Sequence, residues 1–381
     1  MTLSRPPSGF GQEATARRRR WLEEHAGRPF EDPPLDQPEE LRGIIENHIG
    51  WMPMPMAVAG PLRIDGTYAR GEFGVPLCTV EGTLALSMSR GFLLTSLAGG
   101  ITTRHLKQEM SRSPVFSFED IVQLPKFLSF IERSFESLKQ VAEATTRHGE
   151  LLRVDCYPIQ NSVILDFVYD TKEACGQNMV SIATNEACHW ITAQWDGPVR
   201  WLIESNFNGD KNPAAKTVLC GRGHHVVASA RIGPKLLRRV LRVTARDVVG
   251  AWKLCVRGSQ LAGVVGMNKH VANALAALYL ATGQDVACVA ENAVGVVDYD
   301  ILEGDGVYAT LTMPSISVGT VGGGTRLAAQ KRNLELLGCT GPSSSRKLAE
   351  IVCAAALALE LSLGGAIVSN EFVDSHAKYG R

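Results

Sequence analysis

The chain has 381 residues, with 39 Lys+Arg and 39 Asp+Glu, so its formal net charge is zero. This balance excludes a global bias towards nucleic acid or an anionic membrane surface. Hydrophobic residues make up 45% and charged residues 20%, which is typical of a globular protein, with about two or three domains at this length.

The cysteines and the apolar stretches of the sequence indicate the cellular compartment in which the protein resides. The nine cysteines are scattered and form no C-x-x-C pair, so we expect reduced, mostly buried thiols, no metal centre and a cytoplasmic protein without a secretory signal. The membrane-like stretch 351–369 carries Glu360 at its middle. A charge at that depth of a bilayer is costly, so we expect a core helix and no membrane span.

The predicted elements begin with a helix over 17–25 inside a polar N-terminal segment. Met and Pro then alternate over 51–56, which favours extended chain, and 81–97 has the pattern of a helix. Further helices are predicted over 121–147, 178–190, 234–253, 272–281 and 345–368, and strands over 163–169 and 307–313. Helix, strand and helix within 116–202 suggest a small α+β module inserted into a larger, helix-rich domain.

A polar loop places Asp210 and Lys211 just before Pro213. The proline pushes the preceding Asn212 out of the helical region, which predicts that Lys211 lies in an extended turn. Taken alone, the segment is more typical of an ordinary surface loop with a solvated ion pair.

Two carboxylates are candidates for chemistry. Glu81 begins a predicted helix among apolar neighbours, either as a partner of the helix dipole or as a carboxyl with a raised pKa that donates a proton. Asp285 follows Gly283, which is expected to cap a helix, and the simplest reading is a turn aspartate. His270 and Asn273 precede it with a helical spacing of three, and such a histidine is typically a structural hydrogen-bonding group.

A glycine-rich loop and the C-terminal tail complete the candidates. Gly319 to Thr325 follows a strand and precedes a helix, so its backbone amides are able to approach an anion closely. It matches neither G-x-G-x-x-G nor a P-loop. His376 lies in a tail that is either simply exposed or delivers an acid to a site late in a cycle.

Together these stretches resemble the 3-hydroxy-3-methylglutaryl-coenzyme A (HMG-CoA) reductase family. The matching motifs run in order over the chain from residue 46 onwards. They are Glu46-Asn47-His48-Ile49-Gly50, Met52 to Pro55, Val58 to Pro61, Glu81-Gly82, Gly99-Gly100, Asp210-Lys211 with Pro213-Ala214-Ala215, Gly283-Gln284-Asp285, Met313 to Ile316, Gly319 to Thr325, Glu360 to Leu363 and His376.

The resemblance implies an NAD(P)H-dependent reductase that converts HMG-CoA to mevalonate and CoA by two hydride transfers. The family's catalytic residues fall on Glu81, Lys211, Asp285 and His376. Lys211 polarises the carbonyl and holds the oxyanion. Glu81 supplies the proton for aldehyde reduction, Asp285 tunes both, and His376 protonates the departing thiolate.

The resemblance also implies binding residues. Arg112 would bind the acyl carboxylate, Asp210 and Asn273 would contact the substrate, and Ser87 and Arg90 would lie near coenzyme A. NADPH is expected, with NADH possible, because Arg147 is able to grip a 2′-phosphate. The cofactor residues implied are Thr146, Arg147, His148, Glu173, Gly176, Gln177, Asn178, Gly322, Gly323 and Gly324.

The architecture implied is α+β, in three parts. A small helical N-terminal part (1–49) precedes a large helix-centred substrate domain (50–113 and 203–381), and a ferredoxin-like cofactor module (114–202) is inserted into it. Active sites between subunits imply a homodimer or higher homo-oligomer of the soluble prokaryotic type.

The sequence departs from the family pattern around the acyl pocket. Asn212 replaces the second lysine of Asp-Lys-Lys, Glu204 occupies a usual serine position, and Cys288 replaces a glutamine. Ala98 and Ile101 replace smaller residues beside Gly99-Gly100. These changes leave two alternatives to HMG-CoA reduction: a related reductase of another acyl thioester in specialised metabolism, or a catalytically silent dimeric binding protein.

Overall fold

The computed structural model describes residues 6–7, 12–29 and 41–369. The helices in this part of the chain are α1 (Gln12–Ala26), α2 (Leu84–Leu97), α3 (Leu124–Arg133), α4 (Phe135–Glu143), α5 (Gln177–Gln194), α6 (Ala215–Cys220), α7 (Pro234–Leu236), α8 (Ala245–Ala262), α9 (Val271–Thr282), α10 (Val289–Asn292), α11 (Ala328–Leu336) and α12 (Ser344–Val368). The strands are β1 (Met56–Asp65), β2 (Arg70–Cys78), β3 (Ile101–Arg112), β4 (Val115–Ser117), β5 (Glu150–Ile159), β6 (Ser162–Asp170), β7 (Arg200–Leu202), β8 (Gly223–Ile232), β9 (Val296–Leu302) and β10 (Gly306–Ile316).

The large domain is a sheet packed on helices. Its strand order is β2-β1-β3-β8-β10-β9, antiparallel except for the short β1–β3 pairing. The strands bury one face against α2, α9 and α12 in a single apolar cluster. The predicted helices over 272–281 and 345–368 are confirmed as α9 and α12.

Helix α12 is the described helix long and apolar enough to cross a bilayer, but 83% of its most apolar window is buried inside the fold. A helix that is hydrophobic all round and enclosed by strands and helices is a core helix. The expectation of a core helix over this stretch is therefore confirmed.

A second apolar cluster, between Met110 and Trp195, belongs to a smaller sheet of order β7-β4-β6-β5 in which all neighbours are antiparallel. Helices α3 and α4 connect β4 to β5, and α5 connects β6 to β7. This β-α-β-β-α-β succession with the antiparallel order is the ferredoxin-like arrangement. Strand β3 enters it directly, since its last residues Met110 to Arg112 pair with β6.

Several predicted elements were wrong in extent. The helix predicted over 121–147 is a 3-10 turn (Ile121–Gln123) followed by α3 and α4, which separate at Ser134. The helix predicted over 234–253 breaks at Arg242, whose φ is 59°. Thr244 and Asp247 form a capping box that starts α8 anew, and this signal was present in the sequence.

Candidate active site

Lys211 and Asp285 meet in an ion pair, with Lys211 Nζ 3.0 Å from Asp285 Oδ2. The backbone of Lys211 is left-handed (φ 58°), so the predicted extended turn is wrong. The reason is an anchor: the Lys211 N–H donates to Glu291 Oε2 at 2.5 Å. Asp285 follows the left-handed helix cap Gly283 as predicted, and it accepts a hydrogen bond from the Ala287 N–H at 3.0 Å.

This pair holds a positive charge at an accessible position. The hydrogen bond to Asp285 raises the pKa of the Lys211 ammonium, so it stays protonated at neutral pH. The Lys211 side chain is 45% exposed and that of Asp285 44%, which leaves the pair accessible. An ammonium held in this way is suited to stabilise an oxyanion that develops on a bound carbonyl.

A ladder of alternating charges runs from this loop into the interior. Arg112 contacts Glu204 through Nη1 and lies 3.2 Å from Asp210 Oδ2 through Nη2. Asp210 Oδ1 lies 3.1 Å from Arg222, whose Nε lies 3.2 Å from Glu291. Burial opposes the ionisation of Asp210, but the two guanidiniums hold its pKa below the ordinary value.

Arg222 and Glu291 are residues that the sequence reasoning missed. Both side chains are fully buried, and together they fix the backbone of Lys211 and the carboxylate of Asp210. A signal was available, because Arg222 stands between Gly221 and Gly223 in the sequence. Both glycines are left-handed in the structure, with φ values of 78° and 86°. A lone charge between two left-handed glycines indicates a side chain with a fixed partner.

Glu81 and Asn273 also meet, at the other end of α9. Asn273 Nδ2 donates to Glu81 Oε1 at 3.2 Å, and the carboxyl is exposed. Glu81 precedes α2, which begins only at Leu84. Helix α9 is 12 residues long, or about 18 Å. Asn273 and Asp285 lie at its opposite ends, so one chain holds the Glu81 pair and the Lys211 pair apart.

The residues predicted for coenzyme A lie on α2 against α12. Ser87 Oγ is 2.9 Å from Ser362 Oγ. Arg90 donates to the hydroxyl and the backbone carbonyl of Ser362, at 3.0 and 2.7 Å. Ser87 and Arg90 therefore lie on α2, the helix that directly follows the Glu81 turn. His376 lies outside the described residues, and its role stays a prediction.

A buried carboxylate on α12 orders the start of α9. Glu360 accepts hydrogen bonds from the Lys269 N–H, from the His270 N–H at 2.7 Å and from His270 Nδ1 at 3.0 Å. The prediction that His270 lies on the helix is wrong, because His270 precedes α9 as its N-cap residue. Its expected structural hydrogen bonding is present, since the imidazole is tied to Glu360.

The predicted cofactor residues of the small module lie around the start of α5. Gly176 is left-handed (φ 87°) and no side chain caps this 18-residue helix. The first backbone amides of α5 are thus directed at an open N-terminus that favours an anion. The 146–148 turn lies beside it, because Thr146 Oγ1 donates to Met179 Sδ at 3.1 Å. Arg147 and His148 are exposed there.

The glycine-rich loop joins the module to the Lys211–Asp285 pair. Gly324 packs on Gly283, and a Cβ on Gly283 would come within 2.4 Å of the Gly324 carbonyl oxygen. By contrast, a Cβ on Gly322 or Gly323 would meet nothing within 4 Å. The loop therefore has one side locked against the Asp285 turn and one side open to a ligand.

The segment 172–176 lies against the same loop. The Glu173 carbonyl accepts from the Thr320 N–H at 2.8 Å, and Ala174 pairs with Val321. Gln177 Nε2 donates to Cys288 Sγ at 2.7 Å, next to Asp285. The module segment, the glycine loop and the Asp285 turn are thus brought together, as a shared cofactor site requires.

Glu173 has a structural task in this arrangement. Its carboxylate accepts from the Ser343 N–H at 2.6 Å, the Ser345 N–H at 2.8 Å and the Ser344 hydroxyl at 3.0 Å. These groups form the N-terminus of α12, where a negative charge is stabilising. The side chain thereby fastens the module to the core helix, and any contact of Glu173 with cofactor stays a prediction.

The family model described as hydroxymethylglutaryl-coenzyme A reductase matches residues 14–381 of the chain. The 3-hydroxy-3-methylglutaryl-coenzyme A reductase of Methanocaldococcus jannaschii is 37% identical over 98% of this chain and 94% of its own length. That of Haloferax volcanii is 41% identical over 90% of this chain and 86% of its own length.

A solved structure of the class II 3-hydroxy-3-methylglutaryl-CoA reductase from Streptococcus pneumoniae, bound to NADPH in open conformations, superposes with a TM-score of 0.70. It is 21% identical and covers 87% of this chain and 89% of that one, which establishes the shared α+β fold. On the family match and the length of these alignments, the chain belongs to the hydroxymethylglutaryl-coenzyme A reductase family.

Proposed function

We propose that this chain reduces HMG-CoA to mevalonate and CoA with NADPH, by two hydride transfers. The observation that carries the proposal is the exposed Lys211–Asp285 pair (3.0 Å), which lies beside the glycine-rich loop in a chain of this family. The relatives carry the reductase name, which favours this reaction over another acyl thioester or a silent binding protein.

The residues present fit a dinucleotide phosphate. The uncapped start of α5 offers backbone amides to its phosphates. The exposed Arg147 offers a guanidinium to a 2′-phosphate, and the open sides of Gly322 and Gly323 leave space for close approach. Bound NADPH supplies the hydride to the carbonyl carbon in each of the two reductions.

The side chains of this protein then stabilise negative charge and donate protons. As the thioester carbonyl becomes tetrahedral, the Lys211 ammonium stabilises the oxyanion. The tetrahedral product of this first reduction is a hemithioacetal. Its collapse breaks the C–S bond and releases the thiolate of CoA, and we propose that His376 donates a proton to this thiolate. Reduction of the resulting aldehyde needs a proton on oxygen, which we assign to Glu81.

We also propose a homodimer with active sites between subunits. Glu81 and Lys211 are held at opposite ends of α9 within one chain. Both have to reach the same carbonyl, so Glu81 of one subunit would meet Lys211 of the other. Most oligomers are closed and symmetric, and a two-fold arrangement would produce two equivalent sites.

Two further assignments accompany this function. We propose a cytoplasmic location, which the nine unpaired cysteines support because such thiols persist in a reducing compartment. We also propose boundaries near 50, 114 and 202 for the three parts of the chain. The separate apolar clusters on either side of 110 support the second boundary.

Replacement of the site lysine tests the proposal. Lys211→Ala removes the cation that faces the oxyanion, and the rate of NADPH oxidation with HMG-CoA should fall by about a hundredfold or more. Lys235→Ala removes an exposed lysine from α7 and serves as the matched control. Undiminished turnover in a folded Lys211→Ala protein would exclude the assigned role.

A further inference from the structure

The carboxylate of Glu204 contacts the guanidinium of Arg112, which the resemblance to the family assigns to the acyl carboxylate of the substrate. This contact is with Arg112 Nη1, and Asp210 Oδ2 lies 3.2 Å from Nη2. The third nitrogen, Nε, is buried. Both nitrogens that form the fork of Arg112 are therefore already bound to carboxylates, although this fork is the natural partner of a substrate carboxylate.

The charge around this fork does not favour a further anion. The ladder Glu204–Arg112–Asp210–Arg222–Glu291 contains three carboxylates and two guanidiniums. The HMG-CoA reductase family has a second lysine where this chain has Asn212. The side-chain amide of Asn212 donates a hydrogen bond to the Asp210 backbone carbonyl at 2.8 Å. A substrate carboxylate would thus enter as a fourth negative group without that extra cation.

Glu204 is the most exposed carboxylate of the ladder. Asp210 is held by both Arg112 and Arg222, and its side chain is 20% exposed. Glu204 is 34% exposed. Its other contacts are the Asn206 N–H at 2.6 Å and Asn208 Nδ2 at 2.9 Å, both within the same short loop. Rotation of Glu204 breaks these two hydrogen bonds and exposes one edge of Arg112, but it leaves the ion pairs of Asp210 with Arg112 and Arg222, and that of Arg222 with Glu291, intact.

We propose that Glu204 is a specificity-determining residue, an internal carboxylate that competes with the carboxylate of the acyl group for Arg112. The inference rests on the proposed function and on the role that the family resemblance implies for Arg112 as the partner of that acyl carboxylate. A thioester with a carboxylate end binds only after Glu204 has turned away. A thioester with a neutral end does not compete with Glu204 for Arg112. This chain therefore discriminates less strongly against neutral thioesters than a pocket in which the Arg112 guanidinium was unpaired would.

The test measures equilibrium binding, which needs no turnover. Titration calorimetry of HMG-CoA would compare the wild-type protein with Glu204→Ser, which restores the family residue, and Glu204→Gln, which removes only the charge. We expect both variants to bind HMG-CoA about tenfold more tightly, the effect of about one charge-assisted hydrogen bond. Glu303→Gln, in the exposed β9–β10 turn, is the matched control and should bind as the wild type does.

A second ligand separates competition from a general change of the pocket. With a CoA thioester whose acyl carboxylate is replaced by a primary amide, the affinities of wild type and variants should be equal. In turnover with HMG-CoA, KM should fall in both variants while kcat stays unchanged. Equal affinity of all proteins for HMG-CoA, parallel changes for both thioesters, or no binding of HMG-CoA to any of them would overturn the inference.

The same measurements distinguish a failure of the proposed reaction from a failure of the role proposed for Glu204. If the wild-type protein binds HMG-CoA and Glu204→Ser binds it more tightly, but neither oxidises NADPH with it, the competition at Arg112 stands and the reaction assignment falls. If the wild type turns over HMG-CoA and the variants show an unchanged affinity, the reaction stands and the role of Glu204 falls.

Discussion

Arg147 is the exposed side chain that we propose to bind the 2′-phosphate of NADPH. It stands in the turn that Thr146 fixes through hydrogen bonds to its own loop and to Met179 on α5. The guanidinium itself is exposed, so its position is set by the backbone while its donors remain available. A planar cation beside a helix N-terminus is well suited to a phosphate dianion.

Arg147→Ala should therefore affect NADPH and NADH differently. The variant loses the partner of the 2′-phosphate, so KM for NADPH should rise by about ten- to a hundredfold, while KM for NADH, which lacks this phosphate, should stay the same. Steady-state kinetics with both cofactors would measure this. Arg133→Ala, an exposed arginine at the end of α3, is the control, and an equal rise for both cofactors would contradict the assignment.

The contact between α12 and the start of α9 links stability to the site. Glu360 is fully buried, and the Lys269 ammonium lies 3.8 Å from it, above the rings of Trp252 and Tyr299. Burial by itself raises the pKa of Glu360, but the hydrogen bond from His270 and the Lys269 charge outweigh it and hold that pKa below the ordinary 4.5. The ionised carboxylate therefore stabilises the folded protein.

Glu360→Gln should destabilise the protein in a pH-dependent way. At neutral pH the change leaves a buried ammonium without its counter-charge, and the free energy of unfolding should fall by about 3–5 kcal/mol. Because the folded pKa of Glu360 lies below its unfolded value, the wild-type advantage is present above about pH 4.5. It should shrink as the pH falls through the lower, folded value.

Urea unfolding of both proteins across acidic and neutral pH would measure this difference. Glu303→Gln removes an exposed carboxylate and should give a small difference at every pH. A wild-type advantage over Glu360→Gln that does not change with pH would contradict the assigned ionisation of Glu360.

At the scale of the whole molecule, α9 separates the Glu81–Asn273 pair from the Lys211–Asp285 pair. Glu81 lies beside its first turn and Asp285 just beyond its end. A helix is rigid over this length, so closure of one chain does not bring the two ends together. We therefore propose that subunit association places both groups on one carbonyl.

Co-expression of Glu81→Ala and Lys211→Ala chains would test this arrangement. Each variant alone should be inactive. With random association half of the dimers are mixed and each has one intact site, so activity should return to about a quarter of the wild-type value. Lys211→Ala with Asp285→Ala, which alters the same half of the site, should give no recovery. Absence of recovery in the first mixture would contradict a site shared between subunits.

The sequence by itself predicted the family, the α+β class and the long apolar helices. Asp210-Lys211, Gly283-Gln284-Asp285 and the glycine loop are local motifs whose residue types the chemistry demands. Helices α9 and α12 are marked by their own apolar residues, and Gly283 marks the end of α9. Strand β8 was not predicted, because the alternation of its buried and less buried positions includes the polar residues His224 and His225. Its stability comes from pairing with β3 and β10, which lie far away in the sequence.

The tertiary structure alone decided which charges meet. Arg222 and Glu291 are 69 residues apart, and Arg112 and Glu204 are 92 apart. No local pattern links such pairs. Burying one of these charges is costly until its partner arrives, so the pairing is a property of the folded interior. The distance between Glu81 and Lys211 was likewise set by the packing of α9, because separation in space depends on the helix between two groups and not on their motifs.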